Sequence, residues 1–212
     1  MKEHLIEIYD RLYTYFGPQN WWPGESSFEV IIGAVLTQNT NWNNVNKAID
    51  NLKGAGFLSY EKISSLPVGL LAEYIRPAGY YNIKAARLHN LFSLIRENYD
   101  NELDQMMEEE TDNFRQALLS VNGIGPETAD SILLYAAERP VFVVDTYTYR
   151  ILVRHNLIPD DFGYDDIQQF FMDNVESDYE LYNEYHALLV CVGKEFCRKS
   201  NPRCSGCPLE GM

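Results

Sequence analysis

Apolar residues recur along this chain at intervals of three and four, the signature of helices that bury one face. Leu5, Ile8, Leu12 and Phe16 lay such a stripe along residues 3–16, and Gly17-Pro18 stops it. Trp21-Trp22-Pro23-Gly24 cannot continue a helix and leaves two large aromatics in a loop. Ser26 or Ser27 is placed to cap an apolar helix over Phe28–Leu36. Polar residues Asn39–Asn44 surround Trp42, after which Val45, Ala48, Ile49 and Leu52 resume a helical face that ends at Gly54. Short helices are expected at Ser59–Ser64 and Val68–Ile75, before Arg76-Pro77-Ala78-Gly79 breaks the pattern. Ala86, Leu88, Leu91, Leu94 and Ile95 predict a helix from Ile83 to Glu97. Thr111 is expected to cap the helix that carries Phe114 to Leu119. Further helices are expected at Thr146–His155, Asp165–Asn174 and Tyr179–Cys197. Phe142-Val143-Val144 is β-prone but too short for a sheet, and reads as a buried connector. The expected fold class is all-α, without internal repeats.

Between the helix ending at Leu119 and the apolar run Ile132–Ala137 stands Val121-Asn122-Gly123-Ile124-Gly125-Pro126-Glu127. Two glycines around one β-branched residue leave room only for a tight turn between helices. Pro126 suits the first turn of the second helix, where its missing N–H is not needed. The N–H groups of Ile124, Gly125 and Glu127 are then expected to face outward from a helix N-terminus, a place suited to phosphate. Packing alone also puts two glycines into many helix hairpins.

At 212 residues the chain has room for one large or two small domains. No apolar run approaches a membrane span, and Met1-Lys2-Glu3-His4 lacks a signal-peptide core, so a cytoplasmic protein without membrane contact is expected. The net charge of −14 runs against nucleic-acid binding as a whole. Its distribution is uneven, however. Acids crowd Asp100–Asp112 and Asp160–Asp178, whereas Lys194, Arg198, Lys199 and Arg203 face a single Glu195 in their stretch. The four cysteines all lie between 191 and 207, which favours a local metal or cluster site over a distributed disulfide framework.

V-N-G-I-G-P-E-T-A-D followed by V-V-D-T-Y-T-Y-R resembles the helix-hairpin-helix signature and catalytic-aspartate segment of the endonuclease III family of DNA glycosylases. The likeness extends to Leu36-Thr37-Gln38, to Gly79-Tyr80-Tyr81-Asn82-Ile83-Lys84-Ala85 and to the C-terminal cysteines. The resemblance implies two helical lobes with an active-site cleft between them. One lobe spans residues 25–135 and bears the hairpin; the other joins residues 1–24 to 136–212 and carries the cysteine loop. A monomer acting on double-stranded DNA with a damaged base is implied.

Asp145 precedes a helical run, where a carboxylate caps the helix and is stabilised by its dipole. It falls on the family's catalytic aspartate, and an ionised carboxylate can stabilise an oxocarbenium-like sugar and orient water. By itself, the position would sooner read as a plain N-cap. Glu127 stands where bifunctional members carry the lysine that forms a Schiff base and nicks the strand. A carboxylate cannot form an imine, so a monofunctional glycosylase is implied.

That glutamate, with W-W-P before the first core helix and L-T-Q-N-T-N-W after it, is similar to the 3-methyladenine glycosylase branch. N-alkylated purines are cationic, and stacking them on electron-rich rings is worth roughly 0.5–2 kcal/mol. Trp21, Trp22 and Trp42 are therefore pocket candidates, with packing against their own domain as the alternative. Gln38 matches the residue that fills the gap left by an extruded nucleotide, or it merely closes a helix. Tyr80 and Tyr81 wedge into the opposite strand or sit in a core. Lys84 and Arg87 meet phosphate or form an ordinary exposed face, and the hairpin residues Gly123, Ile124 and Gly125 anchor the backbone.

Cys197-x6-Cys204-x2-Cys207 reproduces three ligands of the family's [4Fe–4S] site. The fourth would fall one position beyond Met212. A shortened cluster loop is expected, with substitution by Cys191, loss of the cluster, or a zinc site as alternatives. Arg198 and Lys199 would lie in a basic DNA-facing loop. The four histidines (His4, His89, His155, His186) show no ligand spacing and receive no role. The remaining alternatives are the same scaffold acting on mismatched or oxidised bases, and a DNA-binding protein that kept the hairpin without catalysis.

Overall fold

A computed structural model describes all 212 residues. Every regular element is helical, and the chain divides into two compact units: Pro23–Ala137, and Met1–Trp22 together with Glu138–Met212. No helix is long and apolar enough to cross a membrane.

The Pro23–Ala137 unit is built around α2 (Ser27–Thr37), buried from Phe28 to Leu36. A helix apolar on all sides must be wrapped, and α3 (Trp42–Gly54), α6 (Tyr81–Asn98) and α9 (Pro126–Ser131) pack against it. Ser26 caps α2 by accepting from the Glu29 N–H at 3.2 Å. Buried Glu29 pairs with Lys53 of α3 at 3.0 Å. Two short helices, α4 (Tyr60–Ser64) and α5 (Val68–Tyr74), lead through a 3₁₀ turn (Arg76–Ala78) into α6. After α7 (Leu103–Met107), α8 (Thr111–Ser120) and α9 form the glycine hairpin, braced by Arg115 Nε donating to the fully buried Asp130 carboxylate at 2.7 Å. Thr111 is the first residue of α8 and does not cap it; Glu110 occupies that position without a side-chain bond. Beyond α9 the helix widens into a π turn over Ile132–Ala136, all of it buried.

In the second unit α1 (Lys2–Phe16) buries Leu5, Ile8 and Leu12 against α12 (Tyr179–Glu195), and Tyr185 Oη donates to the Leu5 carbonyl at 2.6 Å. Residues Val141–Val144 are a buried extended connector without strand partners. Phe142 stacks on Phe171 of α11 (Tyr164–Asn174) with ring centroids 3.8 Å apart, and Tyr182 and Tyr185 stand edge-on to it. Gln168 Nε2 donates to the Phe142 carbonyl at 2.7 Å, satisfying one of the connector's backbone groups. The connector delivers the chain to α10 (Thr146–Arg154), which packs on α12.

Candidate active site and nucleic-acid interface

Asp145 is the N-cap of α10. Its Oδ1 accepts from the Tyr147 N–H (2.9 Å), the Thr148 N–H (2.7 Å) and Thr148 Oγ1 (3.0 Å). Three donors on one oxygen, at the N-terminus of a helix, fix the carboxylate in place. The second oxygen, Oδ2, lies 3.7 Å from Nε2 of His186 on α12. His186 is buried, and burial lowers its pKa; Asp145 opposes that shift and Lys194 adds to it. The imidazole is thus held neutral beside the carboxylate. Sequence reasoning gave His186 no role, because its partner lies on another helix and the surrounding run Ala187–Val190 reads as core.

Trp21 and Trp22 are half-buried, with rings edge-on at 5.5 Å and Lys194 Nζ 5.9 Å from the Trp21 centroid. Trp42 opens α3 in the hairpin unit and is also half-buried.

In that unit Gln38 and Arg87, of the residues singled out from the sequence, meet at the glycine turn. The Ile124 N–H is not available to phosphate: it donates to the Val121 carbonyl at 3.0 Å and so closes the turn, while its side chain is buried. Gly125, Pro126 and Glu127 are exposed. Gln38, at the end of α2, donates from Nε2 to the Gly123 carbonyl (3.0 Å) and to Thr128 Oγ1 (2.9 Å), and Arg87 NH1 donates to its Oε1. Tyr80, expected to wedge or to pack in a core, projects into solvent with 68% of its surface exposed, from a left-handed backbone (φ 47°). Tyr81 is half-buried, beneath the Arg76 guanidinium.

Lys84 corrects a sequence expectation. It does not face solvent or phosphate; it is 1% exposed, and its Nζ donates to the carbonyls of Leu36 (2.9 Å) and Ala78 (2.8 Å). Both carbonyls lie at helix ends, where backbone acceptors lack helical partners. Burial, with a smaller contribution from Arg87, lowers its pKa to about 8.

Cys197, Cys204 and Cys207 lie in the C-terminal loop and form no disulfide with one another. Burial raises the Cys207 pKa, and the nearby Cys197 and Cys204 add to the shift. Cys191 does not join them: its thiol donates to Gln19 Oε1 at 3.0 Å. The residues present suit a cluster by donor chemistry at three positions, although no group of three or more is gathered at metal-holding distance. Two arginines of α10, unforeseen from the sequence, bind the start of this loop. Arg150 Nε donates to the Cys197 carbonyl (2.7 Å), and Arg154 NH1 and NH2 donate to the carbonyls of Arg198 (2.7 Å) and Lys199 (3.1 Å). The Arg198 and Lys199 side chains are exposed.

A family model described as HhH-GPD superfamily base excision DNA repair protein matches residues 32–177. A Methanocaldococcus jannaschii protein, provisionally named a DNA repair glycosylase, is 49% identical over 210 residues, covering 98% of this chain and 94% of its own. Endonuclease III of Sulfolobus acidocaldarius is 29% identical over 183 residues, 86% of this chain and 79% of that one. Among solved structures, the H. pylori 3-methyladenine DNA glycosylase bound to 1,N6-ethenoadenine matches at 33% identity with a TM-score of 0.78, over 92% of this chain and 97% of the other. A non-covalent endonuclease III–DNA complex, at 23% identity, shares the fold with a TM-score of 0.82 over 99% and 93% of the two chains. The chain belongs to the HhH-GPD superfamily of base excision DNA repair proteins and is an endonuclease III-like DNA glycosylase.

Proposed function

We propose that this protein is a monofunctional glycosylase that removes an N-alkylated purine from double-stranded DNA and leaves the abasic strand uncut. The observation that carries this reading is the fixed carboxylate of Asp145, with three donors committed to one oxygen and Oδ2 left for chemistry. An alkylated purine is cationic, so its glycosidic bond breaks with the electron pair passing to the base, which departs neutral. The sugar is left as an oxocarbenium ion. Asp145 Oδ2 stabilises that positive charge and orients a water molecule toward C1′. The water contributes hydroxide to C1′ and its proton passes to solvent. No general acid is required for such a leaving group.

Two lysine observations support a monofunctional reaction. The position that holds the Schiff-base lysine in related bifunctional enzymes is Glu127. Lys84, whose amine is eased toward neutrality, is sealed between two carbonyls and cannot reach a sugar. The substrate class rests on the tryptophans as stacking surfaces for a cationic base and on the likeness to the H. pylori enzyme, whose structure holds 1,N6-ethenoadenine. Gln38, Tyr80, Tyr81 and the Gly123–Gly125 turn form the DNA-facing set in this reading, with Arg198 and Lys199 as further backbone contacts. Cys197, Cys204 and Cys207 would hold a [4Fe–4S] cluster, whose chemistry here is to clamp the loop, not to act on the sugar.

Incubation with duplex DNA methylated at purines tests the reading. Free 3-methyladenine or another alkylated purine is expected in solution, with strand breaks only after hot alkali, and Asp145→Asn should abolish release while DNA binding persists. Nicking without alkali, or release unaffected by Asp145→Asn, overturns it.

A further inference from the structure

One face of α6 carries Lys84, Arg87 and Asn90, spaced one turn apart. Each reaches a different segment of the hairpin unit. Lys84 ties the last buried carbonyl of α2 to the 3₁₀ turn before Tyr80. Asn90 Nδ2 donates to the Asn122 carbonyl in the glycine turn at 2.9 Å. Arg87 stands between them, donates to Gln38 Oε1, and lies flat on the turn. A Cβ added at Gly123 would come 2.4 Å from Arg87 Cγ and 2.7 Å from its Nε. Gly123 therefore serves twice: its φ of 99° makes the turn, and its missing side chain makes room for the arginine.

Gln38 is consequently held from both ends. Its two amide hydrogens go to Gly123 and Thr128, and its oxygen accepts from a cation. Charge-assisted bonds are the stronger class, so the bond from Arg87 is the main restraint on the amide. A glutamine in such a brace loses little rotamer freedom when it enters a duplex, whereas a solvated one would be ordered at that moment.

We propose that Arg87 is a positioning residue: it locks the Gln38 amide against the glycine turn, so that the gap-filling side chain and the hairpin meet DNA as one preformed surface. The proposal rests on the reading of Gln38 as the residue that occupies the vacancy of an extruded base. Arg87 acts through Gln38 and makes no phosphate contact of its own in this role.

A duplex with a central tetrahydrofuran abasic analogue separates the two claims, since it presents the vacancy without requiring a particular lesion. The full-length protein is compared with Gln38→Ala, Arg87→Met, Arg87→Lys and the Arg87→Met/Gln38→Ala double variant. Affinity for the abasic duplex is read relative to an undamaged duplex, and thermal unfolding checks that each variant folds. Gln38→Ala is expected to lower that ratio by about tenfold, Arg87→Met by about fivefold, and the double variant no further than Gln38→Ala alone. Arg87→Lys should recover part of the loss. If Gln38→Ala leaves the ratio unchanged, the gap-filling reading fails and this proposal with it. If Gln38→Ala lowers the ratio but Arg87→Met does not, or the two losses add in full, the positioning role alone is refuted. Equal weakening on both duplexes with a shallower salt dependence would make Arg87 a phosphate contact and would likewise refute it.

Discussion

His186 places its Nε2 3.7 Å from Asp145 Oδ2, too far for a hydrogen bond and near enough for the carboxylate to act on the imidazole. Burial keeps the imidazole neutral in the folded protein, its pKa lowered from the usual 6.5, while the unfolded chain titrates normally. Below pH 6.5 the unfolded state therefore binds a proton that the folded state refuses, and stability falls as pH falls through this window. Urea unfolding of the wild type and of His186→Gln at pH 7.5 and 5.5 checks the sign. The wild type should lose more stability on acidification than the variant; equal losses would show that His186 does not titrate on unfolding.

Lys84 has the opposite pH signature. Its amine sits at about 8 in the folded protein against an ordinary 10.5. Between those values the unfolded chain carries a proton that the folded chain has shed, so the lysine's contribution rises with pH across the window and is least favourable below about 8. The stability difference between wild type and Lys84→Met should shift toward the wild type between pH 8 and 10, by about 2 kcal/mol. A difference independent of pH would mean that the two carbonyl bonds hold the ammonium charged throughout.

Glu127 offers a gain-of-function test. If the position is where an amine would meet C1′, Glu127→Lys should trap an abasic duplex on borohydride reduction, while the wild type and Glu127→Gln trap none. Trapping by the wild type would point to another lysine as nucleophile and end the monofunctional assignment.

The hairpin depends on Asp130, whose carboxylate is fully buried and receives Arg115 at 2.7 and 3.0 Å. Asp130→Asn leaves the guanidinium facing a neutral amide and should cost about 3 kcal/mol in denaturant unfolding. A loss below about 1 kcal/mol would place the hairpin's stability in its apolar contacts instead.

Most helices were legible in the sequence because they bury one face, and period and caps report that directly; Ser26 and Asp145 cap as their positions foretold. Asp145 and Gln38 were singled out by likeness to family motifs, which is local. What escaped was tertiary. A lysine on a helix reads as solvent-facing unless the two carbonyls that receive it are known, and those of Leu36 and Ala78 lie on other elements. His186 received no role because its neighbour Asp145 lies 41 positions away and ligand spacing does not register such a pair. Ile124 looked like an anion donor because nothing in G-I-G reveals that Val121 takes its N–H. Arg150 and Arg154 drew no reading at all, yet they carry hydrogen bonds from the helix that Asp145 caps to the first cysteine of the terminal loop and the residues after it.

Tyr80 combines two costs that ordinary folding would remove. Its backbone takes the left-handed form, which a side chain disfavours by roughly 1 kcal/mol or more, and its ring gains almost nothing from burial. Tyr80→Gly should therefore make the free protein more stable, not less, with the melting temperature as the readout. An aromatic kept at the tip of such a corner is a burden on the free fold, carried for something other than the fold's own stability.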